Sequence, residues 1–213
     1  MRIVVISDTH SRHGDMVLPA GDILVHAGDF TVNGGNREIE HFFEWFARLP
    51  HPHKIVIAGN HDLLFETAPG HARAMLPDDV VYLEDSGCEI EGLQFWGSPW
   101  QPWFLDWAFN LATEAELEGK WALIPPDTDV LVTHGPPFRI LDECFDGRRV
   151  GCPALAKRVR EVNPVLHFFG HIHEGYGRAS DPTGRSDTTF INACVCDLFY
   201  QPVNPPIVVE IRD

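Results

Sequence analysis

Apolar runs of five or six residues recur along the chain, and most of them end in a polar cluster. Residues 2–7, 22–27, 54–58, 129–133 and 165–169 are rich in Val, Ile and Leu with little alternation. That pattern predicts strands buried on both faces. Between them lie runs of helical period. Ile39, Phe42, Phe43, Phe46 and Leu49 recur at three-to-four spacing, which predicts a helix over 37–49 with Asn36 as N-cap and Pro50 past its end. Thr113-Glu114-Ala115-Glu116 has capping-box spacing ahead of Leu117, Trp121 and Leu123. Pro153 suits the first turn of a helix reaching about Val162, which Asn163-Pro164 stops.

Residues 80–97 have a different texture. The runs 80–83, 88–90 and 93–96 are short, with Gly92 between the last two, and predict hairpin strands. Residues 175–192 predict a further hairpin turning at Asp181-Pro182-Thr183-Gly184, and 207–211 a last strand. Strands alternating with helices and then hairpins predict one domain over residues 1–213. Its expected architecture is a two-sheet αββα sandwich with helices outside. Ligands in such folds bind beyond the carboxyl ends of the strands, where the polar clusters fall.

Composition narrows the function classes. Against 31 Asp and Glu stand only 16 Lys and Arg, a net charge of −15. Such a field repels nucleic-acid backbones, so non-specific nucleic-acid binding is not expected. An anionic substrate would need bound cations. No run approaches the ~20 apolar residues of a membrane helix, and no cleavage site follows the first strand, so a cytoplasmic protein without membrane contact is expected. The five cysteines form no C-x-x-C pair, which fits reduced thiols. Cys194 and Cys196 read as buried small hydrophobes, with a thiolate metal or redox site as the alternative.

Five polar clusters remain: Asp8-x-His10, Gly28-Asp29, Gly59-Asn60-His61-Asp62, His134, and Gly170-His171-x-His173. Each alone has an ordinary explanation as a cap, a turn or a satisfied histidine. All five at strand ends, in this order, form a far more specific combination. They supply carboxylates, imidazoles and one amide oxygen, a donor mix that suits Mn, Fe or Zn.

This order of motifs resembles the calcineurin-like metallophosphoesterase signature. The segments 97–103, 106–110, 170–177 and 201–206 are similar to a small branch of that superfamily. This branch comprises the metallophosphoesterase-domain-containing proteins, which resemble class III cyclic-nucleotide phosphodiesterases. The resemblance implies two divalent ions, manganese first among the candidates, bridged by Asp29. Asp8, His10 and His173 would complete one site, and Asn60, His134 and His171 the other. It further implies that a metal-bridging hydroxide hydrolyses a small phosphoester, most simply a cyclic-nucleotide or aryl phosphodiester. His61 would be the proton donor, with Asp62 fixing its tautomer. His13 and Trp100 are candidate substrate contacts. The same core could serve a phosphomonoesterase or protein phosphatase, or persist as a binding scaffold without catalysis.

Overall fold

Two sheets face each other across a layer of aliphatic side chains, and the computed structural model describes residues 1–211 of the chain. The last two residues of the expected domain, 212 and 213, lie outside the described residues. The first sheet is built from β1 (Arg2–Ile6), β2 (Ile23–Ala27), β3 (His53–Ile57) and β4 (Val80–Tyr82), all parallel. Helix α1 (Asn36–Ala47) crosses from β2 to β3, and the short α2 (Leu63–Thr67) and α3 (Pro69–Arg73) lead to β4.

A hairpin of β5 (Ser86–Ile90) and β6 (Leu93–Ser98) begins the second sheet, with Glu91 and Gly92 at φ 51° and 80° in its turn. The small pair β7 (Gln101–Pro102) and β8 (Asn110–Leu111) and helix α4 (Glu114–Trp121) follow. Next come β9 (Val130–Thr133), α5 (Pro153–Val162), β10 (Leu166–Phe169), and the hairpin of β11 (Gly177–Ser180) and β12 (Thr189–Asn192). Strand β13 (Ile207–Glu210) returns to pair antiparallel with β1. The spatial orders are β13-β1-β2-β3-β4 and β11-β12-β10-β9-β6-β5.

Alternation along each strand explains the layers. Ile3, Val5, Ile23, Val25, Ile55 and Ile57 face inward onto Val130, Val132, Phe168 and Ile191 of the other sheet. The alternate residues Val4, Ile6, Leu24 and Val56 face outward onto Phe42, Phe43 and Phe46 of α1. Leu131 and Phe169 likewise meet Trp121 of α4 and Leu155 of α5. Strands buried on both faces are why the sequence shows aliphatic runs without alternation. Fully burying each such side chain stabilises the fold by roughly 1.5–3 kcal/mol.

Two expectations are corrected. Helix α1 is capped by extended Gly35, and Asn36 is its first helical residue. Glu38 closes this end, its carboxylate accepting from the backbone N–H groups of Val32, Asn33 and Gly35. Residues 80–82 are a parallel edge strand of the first sheet, not part of a hairpin, because β4 pairs with β3. The expected capping box at Thr113 forms, with Thr113 N donating to Glu116 and Glu116 N to Thr113 Oγ1. Asn163 ends α5 at φ 54°. Among the described residues no helix is long and apolar enough to cross a membrane.

The sheets are joined at one end. Beyond β1, Ser7 pairs in parallel with Cys194, which follows β12 in the second sheet. Ser7 N donates to Ala193 O and Val195 N to Ser7 O, at 2.9 and 3.0 Å. This stitch brings the carboxyl ends of β1, β2 and β3 against those of β9 and β10.

Candidate metal centre

All seven residues that the resemblance nominates as ligands converge at that joined edge. Asp8 and His10 follow β1, Asp29 follows β2, Asn60 follows β3, His134 follows β9, and His171 and His173 follow β10. The backbone is bent sharply to aim them. Asp8, His10, Asp29 and His171 all have positive φ, between 40° and 68°. Four non-glycine residues in the left-handed region at one place are a strain that surrounding contacts must hold, as is common at functional sites. The glycines beside them leave room. A Cβ on Gly59 would lie 2.3 Å from Asp29 Oδ1, and one on Gly170 only 2.0 Å from Asp8 Oδ2.

His134 Nε2 lies 2.9 Å from Asn60 Oδ1 and 3.3 Å from Asp29 Oδ2. His173 Nε2 lies 3.5 Å from Asp8 Oδ1 and 3.3 Å from His10 Nε2. The donor atoms of Asp29, His134 and His171 fall within 4.8 Å of one another, as do those of His10, Asp29 and His61. The inner faces are nearly dry: Asp8 and His134 are fully buried, and His10 and Asp29 are 2% exposed.

Backbone carbonyls set the imidazoles. His10 Nδ1 bonds Thr31 O, His134 Nδ1 bonds Ala27 O, and His173 Nδ1 bonds Asp197 O, at 3.2, 3.0 and 2.8 Å. A carbonyl only accepts, so each Nδ1 carries the hydrogen and each Nε2 turns inward as a potential donor of its lone pair. The same device governs His61, whose Nδ1 lies 2.6 Å from Val32 O.

Asp62 does not touch the His61 ring, which corrects its expected role. Its carboxylate accepts from the backbone N–H groups of Asp29, Thr31 and Gly59 and from the Thr31 hydroxyl, at 2.7–3.0 Å. It therefore clasps the loops after β2 and β3 together, while Val32 sets the His61 tautomer. Burial and the neighbouring Asp29 charge push the Asp62 carboxyl up, against the pull of its hydrogen-bond donors. Asp62→Ala would leave three buried N–H groups unpaired. The expected cost is about 3 kcal/mol or more, a fall in Tm of roughly 6–12 °C for a chain of this size, read by calorimetry on the metal-free protein.

Two nominated substrate contacts lie elsewhere. His13 Nε2 is 3.0 Å from His41 Nδ1, and its ring packs on Phe42 and Trp45. Trp100 donates to Asp85, lies under the Lys120 ammonium and packs edge-on against Phe109. In their place the structure brings Trp107, with its ring centroid 4.1 Å from that of His61, and Tyr200, stacked on His10 at 4.2 Å. The aromatic composition of residues 96–109 pointed to that segment without singling out Trp107. Cys194 is buried, as the sequence predicts, but it also reaches the site: its thiol donates to Asp8 Oδ2 at 2.9 Å. Nothing local in the sequence marks it, because the contact spans 186 residues.

The calcineurin-like phosphoesterase family profile matches residues 1–175. The chain belongs to the calcineurin-like phosphoesterase family. It is 45% identical to human metallophosphoesterase domain-containing protein 1 over 99% of this chain and 71% of that protein. A UPF0046 protein of Caenorhabditis elegans is 37% identical over 99% of this chain and 60% of its own length. Among solved structures, GAP50, the anchor in the inner membrane complex of Plasmodium, superposes with a TM-score of 0.50 at 12% identity. That match covers 92% of this chain and 71% of GAP50, and it shows a shared fold alone.

Phosphoesterases of this family use divalent metals, and the residues present fit them. Three tautomer-locked Nε2 atoms, two carboxylates and an amide oxygen converge where burial leaves them few other partners. Burial holds the Cys194 thiol neutral, with the Asp8 charge adding to the effect, so hard donors dominate.

Electrostatics predicts how metal and proton compete. Burial opposes ionisation of Asp8, but the His173 hydrogen bond and nearby imidazoles hold its carboxyl well below the usual range. Burial disfavours charge on His134 and His173 as well. Asp29 nevertheless lifts His134 to about 9, and Asp8 lifts His173 to about 9. Burial lowers His10 to about 4 and His171 to about 3. At pH 7 these directions make His134 and His173 imidazolium and leave His10 and His171 as neutral imidazoles in the metal-free centre. Coordination needs neutral imidazole, so loading two ions at pH 7 should release at least two protons, one from each of these imidazolium groups, beyond any from metal-bound water. Affinity should rise with pH up to about 9 and then level off. Titration calorimetry in buffers of different ionisation enthalpy measures the release; none at pH 7 would refute the pairing.

Proposed function

We propose that the chain hydrolyses small phosphodiesters. Asp8, His10, Asp29 and His173 would hold one divalent ion, and Asp29, Asn60, His134 and His171 a second, of the Mn, Fe or Zn type. The observation carrying this proposal is the convergence of inward-turned Nε2 atoms on Asp8 and Asp29 with His61 alongside. The ions, when bound, would supply Lewis acidity toward phosphoryl oxygens and activate water at neutral pH.

The protein's own residues do the rest. Hydrolysis forms a P–O bond from water and breaks the P–O bond to the leaving alcohol, which must gain a proton. His61 is suited to give it: with Nδ1–H tied to Val32 O, the imidazolium presents Nε2–H toward the site. The Trp107 ring packs against it with centroids 4.1 Å apart and holds it in place. His61 is 8% exposed, so the proton is delivered with little competing water.

Charge supports a monoanionic diester over a dianionic monoester. In the cleft beside the centre the one Lys or Arg among the lining residues is Arg148, and its Nε is already bonded to Asp146 at 2.6 Å. A second phosphate charge reaching toward that cleft would meet only a cation already shared with Asp146. All five cysteines are free thiols, which supports a reducing compartment such as the cytoplasm.

The test is turnover of bis(4-nitrophenyl) phosphate against 4-nitrophenyl phosphate by protein reconstituted with Mn²⁺. We expect the diester to be preferred and activity to vanish in excess chelator. Preference for the monoester would move the assignment to phosphomonoesters. Full activity after confirmed metal loss would sink it.

A further inference from the structure

A cleft of about 400 Å3 opens beside the metal centre and shares His171 and His173 with it. Its walls come from three stretches distant in sequence: Phe104 after β7, Phe145 and Val150 between β9 and α5, and Leu198 after β12. Phe145 is 83% exposed, Leu198 52% and Phe104 49%. Single exposed apolar side chains need no explanation. Convergence of several on one concavity does, and it marks a binding surface. The Phe104 ring stands edge-on to His171 with centroids 5.8 Å apart, so the apolar wall runs directly into the centre.

At the rim Arg148 has a counter-ion, and the Glu174 carboxylate, held by a backbone N–H, disfavours an anionic guest. Arg148 bonds Asp146, and Glu174 accepts the Phe145 N–H at 2.9 Å. The cleft therefore suits an uncharged, apolar guest. One buried polar group is left over. Gln101 is 1% exposed and neither atom of its amide has a hydrogen-bond partner. It lines the same cleft, and a Cβ on Gly135, next to His134, would lie 3.6 Å from its own Cβ. An unpaired buried amide at the junction of centre and cleft requires a partner.

We propose that the cleft holds the retained ester group of the substrate, a bulky, uncharged, apolar alcohol portion, and that Gln101 donates to an oxygen at its phosphoryl end. The inference rests on the phosphodiesterase function above. The proton donor fixes which ester group goes where. His61 does not line the cleft; it lies against Trp107, with Tyr200 edge-on. The leaving oxygen must face His61, so the group in the cleft is the one that stays on phosphorus. Water adds to phosphorus, the bond to the departing alcohol breaks, and the product is a monoester that keeps its apolar group.

The methyl, butyl and hexyl esters of 4-nitrophenyl phosphate test this with the full metal-loaded chain, because only the retained group varies. Each methylene that leaves water entirely is worth about a fourfold gain. We therefore expect kcat/KM to climb with chain length, by at least tenfold from methyl to hexyl. In Phe145→Ser/Leu198→Ser the hexyl-to-methyl ratio should collapse toward one, with metal content unchanged. Gln101→Leu should lower kcat/KM for all three esters by a common factor of about ten. Equal kcat/KM across the series, or a ratio untouched by the double variant, overturns the apolar cleft. An undiminished Gln101→Leu enzyme removes the amide's part. If no ester is turned over at all, the phosphodiesterase assignment itself has failed, and the cleft inference with it.

Discussion

Asp29→Asn is expected to remove both ions and lower diesterase turnover by about a thousandfold. Among the described residues, Asp29 is the one carboxylate whose oxygens serve two of the potential ion-holding groups, with His134 and His171 on one side and with His10 and His61 on the other. Lewis-acid stabilisation of phosphoryl transfer is worth several kcal/mol, and each ~1.36 kcal/mol is a factor of ten in rate. Asparagine keeps the shape and one acceptor oxygen, so the His61 N–H bond now made to Asp29 Oδ1 at 2.8 Å can survive. The variant should fold, which keeps the experiment interpretable. It should also lose the charge that lifts His134 to about 9, so the metal-free variant should release fewer protons on any residual binding at pH 7. Elemental analysis reporting two ions per chain in Asp29→Asn would overturn the shared-ligand assignment.

His61→Ala should leave both ions bound and yet cost about 10²- to 10⁴-fold in kcat for esters with poor leaving groups. 4-Nitrophenolate departs without a proton, so its esters should lose far less. The slope of log kcat against leaving-group pKa is therefore the readout. A uniform loss at every leaving group would speak against proton donation. His61 also lies within reach of His10 and Asp29, so loss of an ion in this variant would instead make it a ligand. Its tautomer depends on the Val32 carbonyl, which no side-chain substitution removes, so the neighbouring Asp62→Ala tests the clasp and not the acid.

Much of this was readable without coordinates. Strands buried on both faces announce themselves as unbroken aliphatic runs, and each such run was found within a residue or two of its place. The polar residues that meet at the joined edge were also legible as a set, because Asp, His and Asn immediately after a buried strand have few structural reasons to be there. Reading failed where partners are distant. By its length the run at 80–82 fits a hairpin, whereas in the fold it pairs in parallel with β3, from which α2 and α3 separate it. Trp100 was singled out from an aromatic run in which composition cannot separate the ring that packs under Lys120 from the ring that meets His61.

Asp62 illustrates the limit best. Adjacent to His61 in sequence, it was expected to orient that ring. In the folded chain its oxygens turn to the N–H groups of Asp29, Thr31 and Gly59, because buried backbone donors must be satisfied. By itself, then, the sequence determined the layers, the strand ends and the donor types, since all three follow from local polarity and spacing. Only the tertiary structure decided which of those groups meet. The Ser7–Cys194 stitch between the sheets, the carbonyls that set each imidazole, the Cys194 thiol on Asp8 and the apolar cleft beyond His171 all join residues far apart in the chain. Such contacts are set by how two sheets pack, and no local pattern encodes that.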